Sequence, residues 1–444
     1  METGASMNEG LPYAAGERAG TSRRVEPYAY WALALLFVIS LFSYMDRSII
    51  MVLQVQIKTD LNLTDAQMGL LTGASFAVLY VTFALPLARW SDRTVRSRLI
   101  TGSLFVWSTM TALSGQAASL LALMGLRMGV AVGEAGCAPS TVSMLSDYFP
   151  PHRRGTALAA WTLALPLGSM LGLTLGGYLG GSYGWRTTFL IVGAAGMLLS
   201  PIAWLTLKEP VRGRYDPPAM AAVSQPSPRE AIRALWSVRS FRHVVAAVGL
   251  HTIVFYAFMS WSTPFYVRLH EMTLADAAMR LGLYTGVGGL VGTFLGGVIA
   301  DWRAHTDERW YVWVPMIAAL ILPWFAVAQF YVAGTELSWA FAIVPSLLIN
   351  VYIAPLDATS QNLMAPSMRG FALSILMLAS SIVGMVIGPL IVGVISDGLR
   401  PTMGDGGLRF ALIGSMVFDL WAAAHLFVAS RHIRADLARA RQAS

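Results

Sequence analysis

Nine stretches of twenty or more residues contain no Asp, Glu, Lys or Arg: 66–88, 99–126, 155–185, 187–207, 243–267, 281–300, 310–335, 337–356 and 370–396. A helix crossing about 30 Å of hydrocarbon needs roughly 20 such residues, and only structures that satisfy their own backbone can lie there. Two further stretches qualify with interruptions, 30–56 around Asp46 and Arg47 and 408–430 around Arg409 and Asp419. The stretch 99–126 turns over near Ser114–Ser119, and its second helix runs on to Phe149. Twelve spans are expected, at 30–56, 64–88, 98–116, 119–149, 155–181, 186–207, 241–268, 276–300, 309–332, 337–365, 369–397 and 408–430. The fold class is an all-α membrane protein. Charged residues are 12% of the chain, against roughly 25% in a soluble domain, which excludes an ordinary soluble enzyme or a disordered chain. A single cysteine, Cys137, leaves no disulfide framework and no cysteine-based metal cluster.

Twelve spans return both termini to one face, and the positive-inside rule says which. Excluding Arg47 and Arg127 within helices, 23 Lys and Arg fall on the face that carries the tails and 6 on the other. Both tails are therefore expected in the cytoplasm, in a bacterial-style inner membrane. The net charge of +7 follows from this topology and from contact with anionic lipid, so it does not point to nucleic acid. The first 29 residues are polar and lack the pattern of a cleaved signal peptide. The layout reads as a cytoplasmic tail 1–29, a six-helix bundle 30–207, a linker 208–240, a second six-helix bundle 241–430 and a basic tail 431–444. Within the linker, Arg229–Trp236 has the pattern of a short amphipathic helix on the inner leaflet.

The two bundles echo each other. Ala88-Arg-Trp-Ser-Asp92-Arg93 after span 2 matches Gly297-Val-Ile-Ala-Asp301-Trp302 after span 8. Pro151-His-Arg-Arg154-Gly155 before span 5 matches Pro366-Ser-Met-Arg369-Gly370 before span 11. Parallel repeats of this kind rock about a site at their interface, so the architecture favours a carrier. No nucleotide loop, zinc helix or nucleophile elbow appears, so the reading is a non-enzyme with no cofactor and no metal, driven by an ion or substrate gradient.

Four ionisable residues lie where lipid would be: Asp46, Arg47, Arg127 and Glu134. Each costs at least about 2.5–3.5 kcal/mol on insertion scales, which calls for a reason. Asp46, 16 residues into span 1, and Glu134, 15 residues before the end of span 4, come to similar depths, about 22–24 Å from the tail-side ends. Arg127 and Glu134 share one face of span 4 but are about 10 Å apart along it, too far to pair directly. Arg127 then meets Asp46 or a substrate anion. Arg47 either joins the cluster or snorkels outward. Such a nest either couples protonation to conformation or statically locks span 1 to span 4.

The twelve helices, the repeat and the loop Ala88–Arg98 resemble the major facilitator superfamily. Its loop pattern Gly-x-x-x-Asp-Arg-x-Gly-Arg-Arg is matched at Asp92, Arg93 and Arg96, with Arg98 one residue past the last arginine and Ala88 and Val95 where the pattern has glycine. Within that family, Tyr44-Met-Asp46-Arg47, Arg127-Met-Gly-Val-Ala-Val-Gly133-Glu134-Ala135 and Ser146-Asp147-Tyr148-Phe149-Pro150 resemble the Spinster branch. That resemblance implies export of lysophospholipid or sphingosine phosphate, two pseudo-symmetric six-helix bundles, and proton and head-group handling by Asp46, Arg47, Arg127 and Glu134. The Asp-Arg of span 1 and the Gly-Glu-Ala of span 4 are also similar to the anion:cation symporters for hexuronates.

Spans 7 and 11 are free of charge over 243–267 and 370–396 and offer Phe255, Tyr256, Phe258, Trp261, Phe265, Met377 and Met385. A polar half facing an apolar half suits an amphiphile with a charged head. The expected function is proton-coupled movement of a lysolipid or sphingosine-phosphate-like amphiphile by alternating access, from a monomer whose partners are substrate, protons and membrane lipids. A proton-coupled symporter of a small organic anion is one alternative, and a non-transporting lipid sensor or scramblase is another. Asp46 and Glu134 are the proton-coupling candidates; Tyr44, Arg47, Arg127, Tyr256, Trp261 and Met385 are the substrate-binding candidates. Asp92, Arg93, Arg96, Asp147, Arg154, Asp301 and Arg303 would form a cytoplasmic latch. The glycines of span 5, with Pro166, and Gly384, Gly388 and Pro389 of span 11 read as sites of close packing and bending. His251, Asp357, Asp419 and His425 receive no role.

Overall fold

A computed structural model describes residues 25–215, 228–365 and 368–443. The tail before Val25, the middle of the linker, and Pro366 and Ser367 of the second repeat match lie outside the described residues.

Among the described residues, ten helical segments are long and apolar enough to cross a bilayer. In chain order they are Pro27–Val52, Asp65–Ser91, Leu120–Tyr148, Pro151–Thr206, Arg239–Leu269, Leu274–Ala304, Trp310–Tyr331, Thr335–Asn362, Arg369–Met403 and Gly406–Gln442. Pro151–Thr206 is two spans in one trace, turned at Gly184, whose φ of 78° and ψ of 165° suit a residue without Cβ. Arg96–Ser114 is a further helix, less apolar because Arg96 and Arg98 begin it. Twelve spans result, numbered 1 to 12 below, with 5 and 6 on either side of Gly184. The face holding the start of span 1 and the end of span 12 is called the tail face, and the other the far face.

Local chemistry sets the ends of the spans. Thr64 and Gln67 form a reciprocal capping box at the start of span 2, and Ser119 and Thr273 cap spans 4 and 8 through their hydroxyls. Pro27 and Pro151 occupy the first helical positions of spans 1 and 5, where the missing N–H costs nothing. Several spans are broken within the membrane. Span 4 breaks at Gly136, span 10 unwinds over 349–352, span 12 breaks at Met416, and span 11 widens to a π-helix over Ser380–Met385.

Close approach of backbones holds the bundle. A Cβ on Gly168 or Gly172 would stand 2.7 and 2.5 Å from the Leu41 and Met45 carbonyls, so span 5 lies directly on span 1. Between the halves the tight contacts cluster toward the far face. A Cβ on Gly73 would meet the Met385 carbonyl at 2.2 Å, one on Gly69 the Pro389 carbonyl at 2.4 Å, and one on Gly393 the Asp65 carbonyl at 2.3 Å. Nearer the tail face on the same spans 2 and 11, Leu85 is 58% exposed and Met377 62% exposed.

Candidate functional site

The four charges in the spans form two crossed ion pairs between span 1 and span 4. Arg127 Nη1 donates to Asp46 Oδ2 at 2.6 Å, and Thr111 Oγ1 of span 3 donates to Asp46 Oδ1 at 2.7 Å. Arg47 Nε donates to Glu134 Oε2 at 2.7 Å, and Ser43 Oγ donates to the same oxygen at 2.7 Å. Each span therefore gives one acid and one base. Of the two destinations open to Arg127, it takes Asp46; Arg47 joins the cluster and does not snorkel outward.

The two pairs differ in surroundings. The Arg127 and Asp46 side chains are 2% and 3% exposed, so that pair is sealed. Glu134 is also buried, but its partner Arg47 is 22% exposed. The Arg47 guanidinium lies 4.6 Å from the Tyr80 ring, 4.7 Å from Phe76 and 5.3 Å from Tyr44. These aromatic faces replace part of its hydration. The carboxylates differ as well. Both Asp46 oxygens are engaged, whereas Glu134 Oε1 is buried and has no hydrogen-bond partner among the described residues. Glu134 Oε1 thus has both lone pairs open to a proton, whereas each Asp46 oxygen already spends one on a donor. Two acids and two bases make the cluster formally neutral.

The other candidates divide. Tyr44 and Tyr256 are partly exposed; Met385 is 5% exposed and packs with the core of the first half. Trp261 is fully buried, and its Nε1 donates to the Pro389 carbonyl at 2.9 Å, so it serves packing between spans 7 and 11. At the tail face Arg96 is buried and donates to Asp147, to Glu209 at 2.7 Å and to Ser143 at 2.8 Å. Arg154 donates to the Ser146 carbonyl. Asp92 and Arg93 are exposed, Asp301 accepts from Tyr311 at 2.8 Å, and the Arg303 guanidinium lies 4.6 Å from the Trp302 ring. None of these interactions joins the two halves.

Several contributors lacked a sequence signal. Ser43 precedes Arg47 by one turn, a spacing that puts its hydroxyl on the same face, but Thr111 belongs to a span with no charge near it. Linker residues close onto the first half: Arg212 donates to the Ser91, Asp92 and Thr94 carbonyls at the end of span 2, and Gly213 N donates to Asp147 Oδ1 at 2.9 Å. At the far face Asp65 of span 2 accepts from Lys58, from Arg268 of span 7 at 2.9 and 3.0 Å, and from Ser396 of span 11 at 2.7 Å. Asp397 accepts from the Asp65 and Ala66 amides at 3.0 and 2.7 Å, so a carboxylate of one half caps a helix of the other. Gln54 and Thr72 of the first half both meet Ser260 of span 7.

Comparison with known proteins agrees with this architecture. The family model described as Major Facilitator Superfamily matches residues 36–389. An MFS-type efflux pump of Mycolicibacterium smegmatis is 32% identical over 96% of this chain and 98% of its own. A probable galactarate/D-glucarate transporter of Bacillus subtilis, GudP, is 27% identical over 72% of this chain and 74% of its own. The crystal structure of a bacterial homologue of the human lysosomal transporter Spinster, inward-facing and unoccupied, superposes with a TM-score of 0.85 at 29% identity, covering 93% of this chain and 98% of that one. The chain belongs to the major facilitator superfamily of transporters, and within it is similar to the bacterial Spinster homologue.

Proposed function

We propose that the protein is a proton-linked carrier of an anionic amphiphile, a lysolipid or sphingosine-phosphate-like molecule, working by alternating access across a bacterial inner membrane with both tails in the cytoplasm. The observation that carries this reading is the asymmetry of the cluster. Arg47 is partly exposed and available to an anionic head group, and the Glu134 carboxylate that neutralises it has an unengaged oxygen able to take a proton. Protonating Glu134 frees the Arg47 charge for the head group, and losing that proton returns Arg47 to its internal partner. Asp46 and Arg127, sealed from solvent and with both Asp46 oxygens engaged, anchor span 1 to span 4.

The same chemistry separates the amphiphile from a small diacid. Two arginines already balanced by two acids offer a diacid little net charge, and spans 7 and 11 add no cation at that depth. Of the aromatic and methionine side chains of those spans, the partly exposed Phe255 and Tyr256 and the exposed Met377 suit an acyl chain. The galactarate/glucarate relative favours the diacid reading, and competition decides between them. Purified protein in liposomes under a pH gradient is offered lysophospholipid, sphingosine phosphate and galactarate in turn. Accumulation of a lipid-like substrate unaffected by excess galactarate supports the proposal; accumulation of galactarate alone refutes it.

The far-face contacts supply the moving part. Asp65, Arg268, Ser396 and Asp397 join the halves on the periplasmic side and must separate for that side to open. Arg96, Asp147 and Glu209 instead pin the linker to the first half, leaving Asp92, Arg93, Arg154, Asp301 and Arg303 to meet across the cytoplasmic side when it closes.

A further inference from the structure

The second half carries a buried acid–base pair of its own. His251 of span 7 is 5% exposed and Asp419 of span 12 is fully buried. The His251 Nδ1 lies 2.6 Å from Asp419 Oδ1, and Nε2 lies 3.0 Å from the Ile349 carbonyl of span 10. A carbonyl oxygen only accepts, so Nε2 carries hydrogen. A bare Nδ1 at 2.6 Å from a carboxylate oxygen would set lone pair against lone pair, so a second proton lies between ring and carboxyl. Whichever atom holds it, the pair has one proton more than a neutral imidazole facing a carboxylate. Without that proton, one of the two contacts ceases to be a hydrogen bond.

We propose that His251 and Asp419 form a second proton-binding site that fastens span 7 to the broken segments of spans 10 and 12. Ile349 opens the unwound stretch 349–352, and Asp419 follows the break at Met416, its amide donating to the Met416 carbonyl at 3.1 Å. The proton thus joins span 7 to two places where helical hydrogen bonding is already interrupted. Asp419 Oδ2 is buried without a hydrogen-bond partner among the described residues, which leaves the carboxyl room to hold the proton itself.

The neighbouring titratable groups are few. Span 10 brings Tyr352, its ring 4.5 Å from that of His251, and Asp357 farther along. Span 12 brings His425, which meets His243 of span 7 at 2.9 Å, eight residues from His251. Span 11 has no charged side chain between Arg369 and Asp397, and the charges of span 8 lie at its two ends. Span 1 contributes Asp46 and Arg47; Tyr256 of span 7 is within electrostatic reach of Arg47, and of Tyr352 on the other side. The second site is therefore an acid–base pair separate from the first cluster. Its consequence for transport, a second protonation step, rests on the carrier reading; the site itself does not.

The test uses the full-length protein labelled with nitrogen-15 histidine, with His251→Gln assigning the signal among seven histidines. Near about pH 6, the expected result is either a doubly protonated His251 ring or an infrared carboxylic-acid band lost in Asp419→Asn. In Asp419→Asn the extra proton is gone and the ring is singly protonated at the same pH. A neutral His251 ring facing an ionised Asp419, with no change in the ring signal on Asp419→Asn, overturns the proposal. If Asp419→Asn does not fold, the wild-type pH titration decides: the extra proton must leave reversibly as pH rises. Both readouts are equilibrium measurements on the protein without substrate, so failed transport leaves this site standing, and its loss leaves the Glu134 reading intact.

Discussion

Replacing the two buried acids one at a time separates an anchor from a proton carrier. In Asp46→Asn, the Arg127 side chain, only 2% exposed, loses its counter-ion. Removing one partner from a buried pair costs about 3–5 kcal/mol. In Glu134→Gln the amide oxygen still accepts from Ser43 and Arg47, and Arg47, 22% exposed, keeps the faces of Tyr44, Phe76 and Tyr80. The loss there is that of a charge-assisted hydrogen bond, about 1.5–3 kcal/mol. Stability and transport should therefore rank in opposite orders. Asp46→Asn lowers the unfolding midpoint in detergent more, and the protein that folds retains pH-driven uptake. Glu134→Gln is the more stable variant, yet it fails to accumulate substrate under a pH gradient while still exchanging it across the membrane. Proton-driven accumulation at the wild-type level in Glu134→Gln would refute the reasoning. Equal stability of the two variants would refute the distinction between a sealed pair and one whose arginine is partly exposed.

Other consequences follow from particular contacts. Arg96→Ala leaves the buried Asp147 without its counter-ion and should cost about 3–5 kcal/mol, read as a lower unfolding midpoint. Gly73→Ala places a methyl where the Met385 carbonyl stands 2.2 Å away, so the far-face contact must part; spin-label distances between spans 2 and 11 at that face should lengthen. In the loop after span 8, burial pushes the Asp307 carboxyl up, but hydrogen bonds from Arg309 and Arg434 outweigh it and hold it down at about 2. A lowered carboxyl stabilises above its ordinary value of 3.8 and loses that contribution as pH falls toward about 2. Protease protection of the C-terminal helix should therefore be unchanged from neutral pH to about 4 and fall below it, and Asp307→Asn should remove that step.

The fold was legible because hydrophobic length is a strong signal and short loops leave little choice of topology. The break between spans 5 and 6 was placed by an arginine at position 186, two residues from the turn at Gly184. The buried cluster was legible for a related reason: a charge in a span is conspicuous when its neighbours are apolar. Its wiring was less so. Helical spacing excluded a direct Arg127–Glu134 pair and depth set span 1 level with span 4, but neither gives the rotation of one span against the other, so the Arg47–Glu134 pair emerged only with the packing. Trp261 shows the limit of reading a cavity from composition, because an aromatic on a cavity helix can face either the crevice or the neighbouring span. The far-face cluster was hidden because Asp65, Arg268 and Asp397 sit at span ends, where charge is expected for topology alone. The His251–Asp419 pair was visible as two residues, but nothing in the sequence brings position 251 to position 419.

The central claim is that substrate movement is tied to a proton at Glu134. Its most direct test is proton flux into liposomes containing a pH-sensitive dye, when lysophospholipid or sphingosine phosphate is added without an imposed gradient. The account predicts a substrate-dependent pH change in liposomes with wild-type protein and none in those with Glu134→Gln. Equilibration of the lipid across the membrane with no pH change in either would contradict it and leave a scramblase on a carrier fold.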